Sequence, residues 1–99
     1  MFVEELKIRI ESFSELEKNW DGYNADEITI SSIITAHGLL DSICTNYDLN
    51  SISVFPMRNG GIQFEIGDYK EIEILNDEIT EIEFDSFFNV IRQLKSIWK

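Results

Sequence analysis

Three side chains in one segment with helical spacing have the types found in a catalytic triad. His37, Asp41 and Cys44 fall at i, i+4 and i+7, so they share a helix face. Two turns, about 10 Å along the axis, separate Cys44 from His37, whereas a nucleophile and its base must lie within about 3 Å. Zinc sites use about three or four protein ligands, and the chain has no other His or Cys. We therefore predict no catalytic residue, metal site or cofactor, with Cys44 buried and His37 near the helix surface.

A second candidate is a set of glutamates on segments that alternate with period two. The alternation predicts that they point away from the apolar side of a sheet, together with Gln63; they are Glu65, Glu71, Glu73, Glu81 and Glu83. Like charges on neighbouring strands destabilise a sheet, so this pattern favours a docking surface for a basic partner or a weak cation site. The alternative is a solvated face whose repulsion is eased by water, salt and Lys70, and whose charge also prevents edge-to-edge pairing. Because a flat face lacks the cleft that paired-carboxylate catalysis needs, we predict no enzyme.

The third candidate is the segment N-W-D-G-Y-N-A at residues 19–25. Asp21-Gly22 predicts a tight turn with positive φ at the glycine, and Asp21 can accept hydrogen bonds from nearby backbone. Trp20 and Tyr23 carry large apolar areas, so they either pack against the sheet or line a binding pocket. The sequence leaves both roles open: a structural joint between two helices, or a site built on Trp20, Asp21, Gly22 and Tyr23.

This segment, followed by a helix and then G-G-I-Q-F-E-I, resembles a group of small uncharacterised bacterial proteins with a W-D-G-Y-x-A loop and a G-G-I-Q-x-E hairpin. The matching positions are Trp20, Asp21, Gly22, Tyr23, Ala25, Ile28, Gly60, Gly61, Ile62, Gln63, Glu65 and Glu71 to Ile74. The chain departs from the pattern at Asn24, Glu27 and Ile66, where the group has glycine, proline and tryptophan. The resemblance joins the aromatic loop, the glycine hairpin and Gln63 into one constellation. It implies no established activity, and its setting in bacterial genomes and mobile elements implies an accessory or defence-related role.

The elements that position these residues follow from the spacing of apolar side chains. Helical spacing covers residues 2–18, 30–47 and 86–98. The candidate N-caps of the second helix are Thr29, Ser31 and, from further back, Asp26. Period-two alternation predicts four strands, at residues 52–55, 62–66, 71–74 and 81–84, with Pro56 ending the first or placing it at an edge. The turns between them are Asn59-Gly60, Gly67-Asp68 and Asn76-Asp77.

These elements predict a single α+β domain over residues 1–99. Its order is ααββββα, with a four-stranded antiparallel meander packed against three helices in two layers. Exposed strand edges leave open a homodimer through an edge strand.

Charge and composition limit the classes of partner. The net charge is −11, which disfavours direct binding to nucleic acid or to an anionic membrane. Residues 62–85 hold nine acids against Lys70, a net of −8, whereas residues 86–99 hold three basic residues and no acid. One cysteine, no apolar run of membrane-spanning length and no signal-peptide pattern predict a cytoplasmic protein.

The sequence therefore favours a non-enzymatic interaction module, such as an inhibitor, antitoxin-like or immunity-like protein, that binds a basic partner through the glutamate face. Nucleic-acid mimicry, with carboxylates spaced like phosphates, is a special case of this hypothesis. The alternative is a small-ligand or enzymatic domain centred on the loop from Trp20 to Tyr23.

Overall fold

A computed structural model describes residues 3–84 and 92–96, with residues 84 and 92–96 described by their backbone alone. In this part of the chain, two α-helices and an antiparallel sheet form an α+β fold. The helices are α1 (Val3–Ser12) and α2 (Ile30–Asn46), and short 3₁₀ turns cover Phe13–Glu15 and Leu49–Ser51. The strands are β1 (Ile52–Pro56), β2 (Ile62–Ile66), β3 (Lys70–Leu75), β4 (Glu78–Phe84) and β5 (Arg92–Ser96).

The helix α2 begins where a polar side chain caps it. Thr29 has extended backbone, and its hydroxyl oxygen accepts a hydrogen bond from the N–H of Ser32 at 3.1 Å. This is the N-cap arrangement that satisfies one of the free donors of the first turn. Of the three predicted caps, Thr29 is confirmed, and the predicted helix over 30–47 agrees with the observed one to within a residue.

The helix α1 is shorter than predicted. It ends at Ser12, a 3₁₀ turn follows, and Leu16 is extended, whereas helical spacing predicted a helix to residue 18. Two serine hydroxyls lie at this point: Ser12 donates to the carbonyl of Arg9 and Ser14 to that of Glu11. Such local side-chain bonds compete with the helical ladder.

The four predicted strands are confirmed as an antiparallel meander, β1-β2-β3-β4, and β5 pairs with β4 as a fifth strand. The predicted third helix over 86–98 is wrong at residues 92–96, which form β5. Its remaining residues lie outside the described part of the chain. Apolar periodicity alone cannot separate a short strand from a helix there.

The core lies between the helices and one face of the sheet, here called the inner face. On this face, alternate residues of β1, β2 and β3 are buried: Ile52, Val54, Ile62, Phe64, Ile66, Ile72 and Ile74. They pack against Leu6, Ile10 and Phe13 of the first helical segment and against Ala36, Leu40 and Ile43 of α2. The opposite, outer face of β2 and β3 carries Gln63, Glu65, Glu71 and Glu73, as predicted.

The strand β4 has the opposite parity to the one predicted. Its register pairs Ile74 with Ile79 and Ile72 with Glu81, so Glu81 and Glu83 lie on the inner face and Ile82 on the outer face. The reason is the two-residue loop Asn76-Asp77, because partners across it have opposite parity in sequence number. The loops before β2 and β3 have odd lengths and preserve parity. The prediction that all five glutamates share one face is therefore wrong for Glu81 and Glu83.

Candidate functional site

The loop at residues 19–25 is organised around the carboxylate of Asp21. Its Oδ1 accepts hydrogen bonds from the backbone N–H of Tyr23 at 2.8 Å and of Ala25 at 3.1 Å. Its Oδ2 lies 2.7 Å from Nε of Arg58. Burial by itself raises the pKa of Asp21, but the two backbone N–H groups and the Arg58 guanidinium outweigh it and hold the pKa below its ordinary value.

The loop and the turn between β1 and β2 are joined through backbone. The N–H of Asp26 donates to the carbonyl of Arg58 at 2.8 Å, and the N–H of Thr29 donates to that of Gly60 at 2.9 Å. Gly60 has φ +92°, and a side chain there would meet the carbonyl oxygen of Glu27 at 2.9 Å. The predicted contact between the aromatic loop and the glycine hairpin is therefore present. Glycine is required at position 60, where the backbones of these two segments approach each other closely.

The two aromatic side chains of the loop have different surroundings. Trp20 is half-buried against the core, and its indole N–H donates to the carbonyl of Asp26 at 2.8 Å. The side chain of Tyr23 is exposed, with 76% of the residue's surface accessible. Its backbone is held in place, because its N–H donates to the carboxylate of Asp21 and its carbonyl accepts a hydrogen bond from Arg58. Gly22 has φ +79°, as the Asp-Gly turn predicted. Trp20 thus takes the structural role, while the ring of Tyr23 has no packing role.

The outer face of β2 and β3 holds the second candidate set. Glu65 lies directly opposite Glu71, and Gln63 directly opposite Glu73. All four side chains are half-buried, and the amide of Gln63 contacts the carboxylate of Glu65 at 3.4 Å. The outer face therefore brings three of the five predicted glutamates together, and Gln63 belongs to this set.

On the inner face, Glu81 is buried, with 8% of its surface exposed, and forms an ion pair with Lys70. Lys70 also donates to the hydroxyl of Tyr47 at 2.6 Å. Burial by itself lowers the pKa of Lys70, but its hydrogen bonds to Glu81 and Tyr47 outweigh that effect and raise the pKa. Glu83 lies opposite Lys70 in the register. No motif in the sequence predicts this buried cluster, although the two-residue length of the Asn76-Asp77 loop is what turns Glu81 towards Lys70.

Each Lys and Arg side chain that the structure describes contacts a group other than an outer glutamate. Lys7 pairs with Glu4, Arg9 donates to the carbonyl of Val54, Lys18 pairs with Asp26, Arg58 pairs with Asp21 and Lys70 pairs with Glu81. The prediction that Lys70 eases repulsion on the outer face is therefore wrong. Lys70 occupies an inner-face position of β3, opposite Ile66 and Glu83.

The triad-like residues of α2 lie in separate surroundings. Nε2 of His37 lies 3.6 Å from a carboxylate oxygen of Glu11 on α1. Cys44 is half-buried against the core, and this burial, followed by the charge of Asp41, raises the pKa of its thiol, while Lys7 partly offsets the rise. A thiol with a raised pKa is a poor nucleophile at neutral pH.

Three cavities are lined by described residues. One of about 290 Å³ lies beside Tyr47 and Glu81, one of about 200 Å³ beside Asn59 and Glu73, and one of about 240 Å³ between Arg9 and Phe55. Trp20, Asp21 and Tyr23 line none of these three. Within residues 3–84 and 92–96, no group of His, Cys, Asp and Glu has the arrangement of a metal site.

No helix in the described ranges combines the length and the apolar character needed to cross a membrane. No family model, curated protein or solved structure was found to match the chain.

Proposed function

We propose that the chain is an interaction module that binds a basic protein partner through the outer carboxylates of β2 and β3, in the manner of an inhibitor, antitoxin or immunity protein. The observation that supports it is the placement of Glu65 directly opposite Glu71, with Glu73 on the same face.

The electrostatics of this face favour a partner with exposed arginines. Directly opposed like charges destabilise a sheet. An arginine that approaches Glu65 and Glu73 relieves this repulsion and forms two parallel hydrogen bonds with a carboxylate. Complementary charge acts mainly on association rate and specificity, so we expect binding that weakens with salt. Glu81 and Glu83 are not part of this surface.

The alternative, a small-ligand or enzymatic domain centred on the loop from Trp20 to Tyr23, has weaker support. The hydrogen-bonding capacity of Asp21 is taken up by backbone and by Arg58. The indole N–H of Trp20 is also engaged. We therefore assign this loop a structural role.

The test compares two doubly substituted chains with equal net charge. Glu65→Gln/Glu73→Gln alters the outer face, whereas Glu15→Gln/Glu17→Gln removes two exposed acids from the segment after α1. Each chain is immobilised, exposed to an extract of the native host, and the captured basic protein is titrated at two salt concentrations. We expect the outer-face variant to bind roughly tenfold more weakly, since two charge pairs of about 0.7 kcal/mol each amount to one decade.

The control variant is expected to bind as the unmodified chain does. Removal of Glu65 relieves repulsion inside the sheet, so the outer-face variant is expected to remain folded, which its circular dichroism checks. Equal binding by both variants would contradict the proposal.

A further inference from the structure

The outer face of the sheet contains a pocket at the end where β3 turns into β4. The register places Leu75 opposite Glu78 and Glu73 opposite Thr80. Residues directly opposite each other lie on the same face of a sheet, so these four side chains share the outer face. Met57, from the turn after β1, also lines the pocket, which has a volume of about 200 Å³.

The lining of this pocket combines apolar and acidic side chains. Leu75 is 39% exposed and Met57 is half-buried, and together they form an apolar wall. Glu73 and Glu78 occupy diagonal positions across β3 and β4, and residues so placed lie about 7–8 Å apart. A lining of this kind matches a side chain that has an apolar stem and a cationic head.

The two carboxylates of the pocket are not neutralised by a described basic residue. Among the side chains that the structure describes, those of residues 3–83, Glu73 and Glu78 form no ion pair. Arg58 directly follows Met57 in the sequence, but its Nε lies 2.7 Å from the carboxylate of Asp21. The charge that complements the pocket must therefore come from outside the described part of the chain.

We propose that this pocket binds one arginine side chain of the basic partner, with its stem against Met57 and Leu75 and its guanidinium between Glu73 and Glu78. The assignment rests on the proposed function, because the pocket opens on the face through which that partner would bind. A cavity of about 150 Å³ holds a benzene ring, so a pocket of about 200 Å³ has room for one arginine head and part of its stem.

The spacing of the carboxylates favours arginine over lysine. A guanidinium is planar and carries five N–H donors, so it can bind two separate carboxylates at once. An ammonium is a compact and strongly hydrated point charge, and it would lose more hydration against the apolar wall.

A metal ion matches the pocket less well. Calcium takes about 6–8 oxygen ligands, whereas part of this lining is hydrocarbon from Met57 and Leu75. Among the described residues, no group of three or more His, Cys, Asp and Glu could hold a metal ion. A cation with an apolar stem makes use of both parts of the lining.

The experiment is an NMR titration of the isotope-labelled whole chain with the peptide acetyl-Gly-Arg-Gly-amide. Two further ligands separate the two parts of the pocket. The same peptide with citrulline in place of arginine keeps the stem and lacks the charge, whereas guanidinium ion keeps the charge and lacks the stem. We expect the arginine peptide to shift the amides of Glu73, Leu75 and Glu78, and to bind at least about threefold more tightly than either comparison ligand, the effect of one exposed charge pair.

Two substitutions that remove one charge each separate the pocket from general electrostatics. Glu78→Gln is expected to weaken binding of the arginine peptide about threefold. The matched control is Asp68→Asn, in the exposed turn at the other end of β3, and it is expected to leave this binding unchanged. Leu75→Thr is expected to weaken binding as well, because the stem loses an apolar wall while threonine still suits a strand.

Equal binding of the arginine and citrulline peptides, equal responses of Glu78→Gln and Asp68→Asn, or unchanged binding by Leu75→Thr would each overturn the pocket. The proposed function is tested separately, through capture of the native partner by Glu65→Gln/Glu73→Gln. Weaker capture by that variant together with unchanged peptide binding by Glu78→Gln would overturn the pocket and leave the interaction surface standing.

Discussion

At the scale of single residues, the contacts of Asp21 determine the conformation of the N-W-D-G-Y-N-A loop. Its carboxylate holds the backbone of Tyr23 and Ala25 and meets Arg58 from the turn after β1. The local part of this arrangement was predictable from sequence, because Asp before Gly favours a turn with side-chain-to-backbone bonds. The partner was not predictable, since Arg58 lies far along the chain and only the folded sheet brings it close.

The first prediction concerns the pH dependence of stability through Asp21. Its pKa is lower in the folded chain than in the unfolded one, so its stabilising contribution is complete above the unfolded value of about 3.9 and is lost as pH falls through the folded value. Asp21→Asn is therefore expected to lower the free energy of unfolding at pH 7. The difference from the unmodified chain is expected to shrink in acid.

Urea unfolding of both chains between pH 7 and pH 3 measures this difference. Asp26→Asn is the control, because Asp26 pairs with Lys18 at the surface, where ion pairs contribute little. A stability difference for Asp21→Asn that stays constant over the whole pH range would show that the charge of Asp21 is not what matters.

At the scale of elements, β4 is a strand in which the alternation of apolar and polar residues predicts the wrong face. Even positions of the strand contain Ile82 and Phe84, whereas odd positions contain Ile79 followed by Glu81 and Glu83. Apolar content alone favours the even set as the inner face. The two-residue loop imposes the odd set, and Lys70 compensates by pairing with Glu81. Loop length therefore outweighs side-chain pattern when the two disagree.

A double-mutant cycle tests the importance of this buried pair. Glu81→Leu leaves Lys70 charged and largely buried, and Lys70→Met leaves Glu81 in the same situation. Each is expected to lower the free energy of unfolding by about 2–3 kcal/mol, less than a fully buried pair because both side chains retain some exposure.

The double variant Lys70→Met/Glu81→Leu is expected to lie within about 1 kcal/mol of the unmodified chain, since apolar replacement of a buried ion pair is often neutral. Chemical denaturation of the four chains gives the coupling energy. Additive losses would mean that the two side chains do not stabilise each other.

Other elements were predicted to differing degrees. The helix α2 was predictable in type, extent and capping residue, because Thr29 and helical spacing agree. The end of α1 and the strand at 92–96 were not predicted, since helical spacing alone does not register local serine bonds or the pairing of β5 with β4.

At the scale of the whole molecule, the distribution of charge matters more than its sum. Lys70, the one basic residue of segment 62–85, is turned inward. The outer face of β2 and β3 therefore keeps its carboxylates without help from that residue. The acidic segment was evident from the sequence. The assignment of its carboxylates to one face of the sheet or the other depends on the strand register, which only the structure shows.

The most direct measurement is an NMR titration of the isotope-labelled chain with a deca-arginine peptide. We expect amide shifts concentrated on the outer-face positions Gln63, Glu65, Glu71 and Glu73, and we expect these shifts to be lost in Glu65→Gln/Glu73→Gln. Shifts of equal size at Glu4, Glu5 and Glu11 that persist in this variant would contradict this expectation, because they would show that the peptide responds to net charge alone.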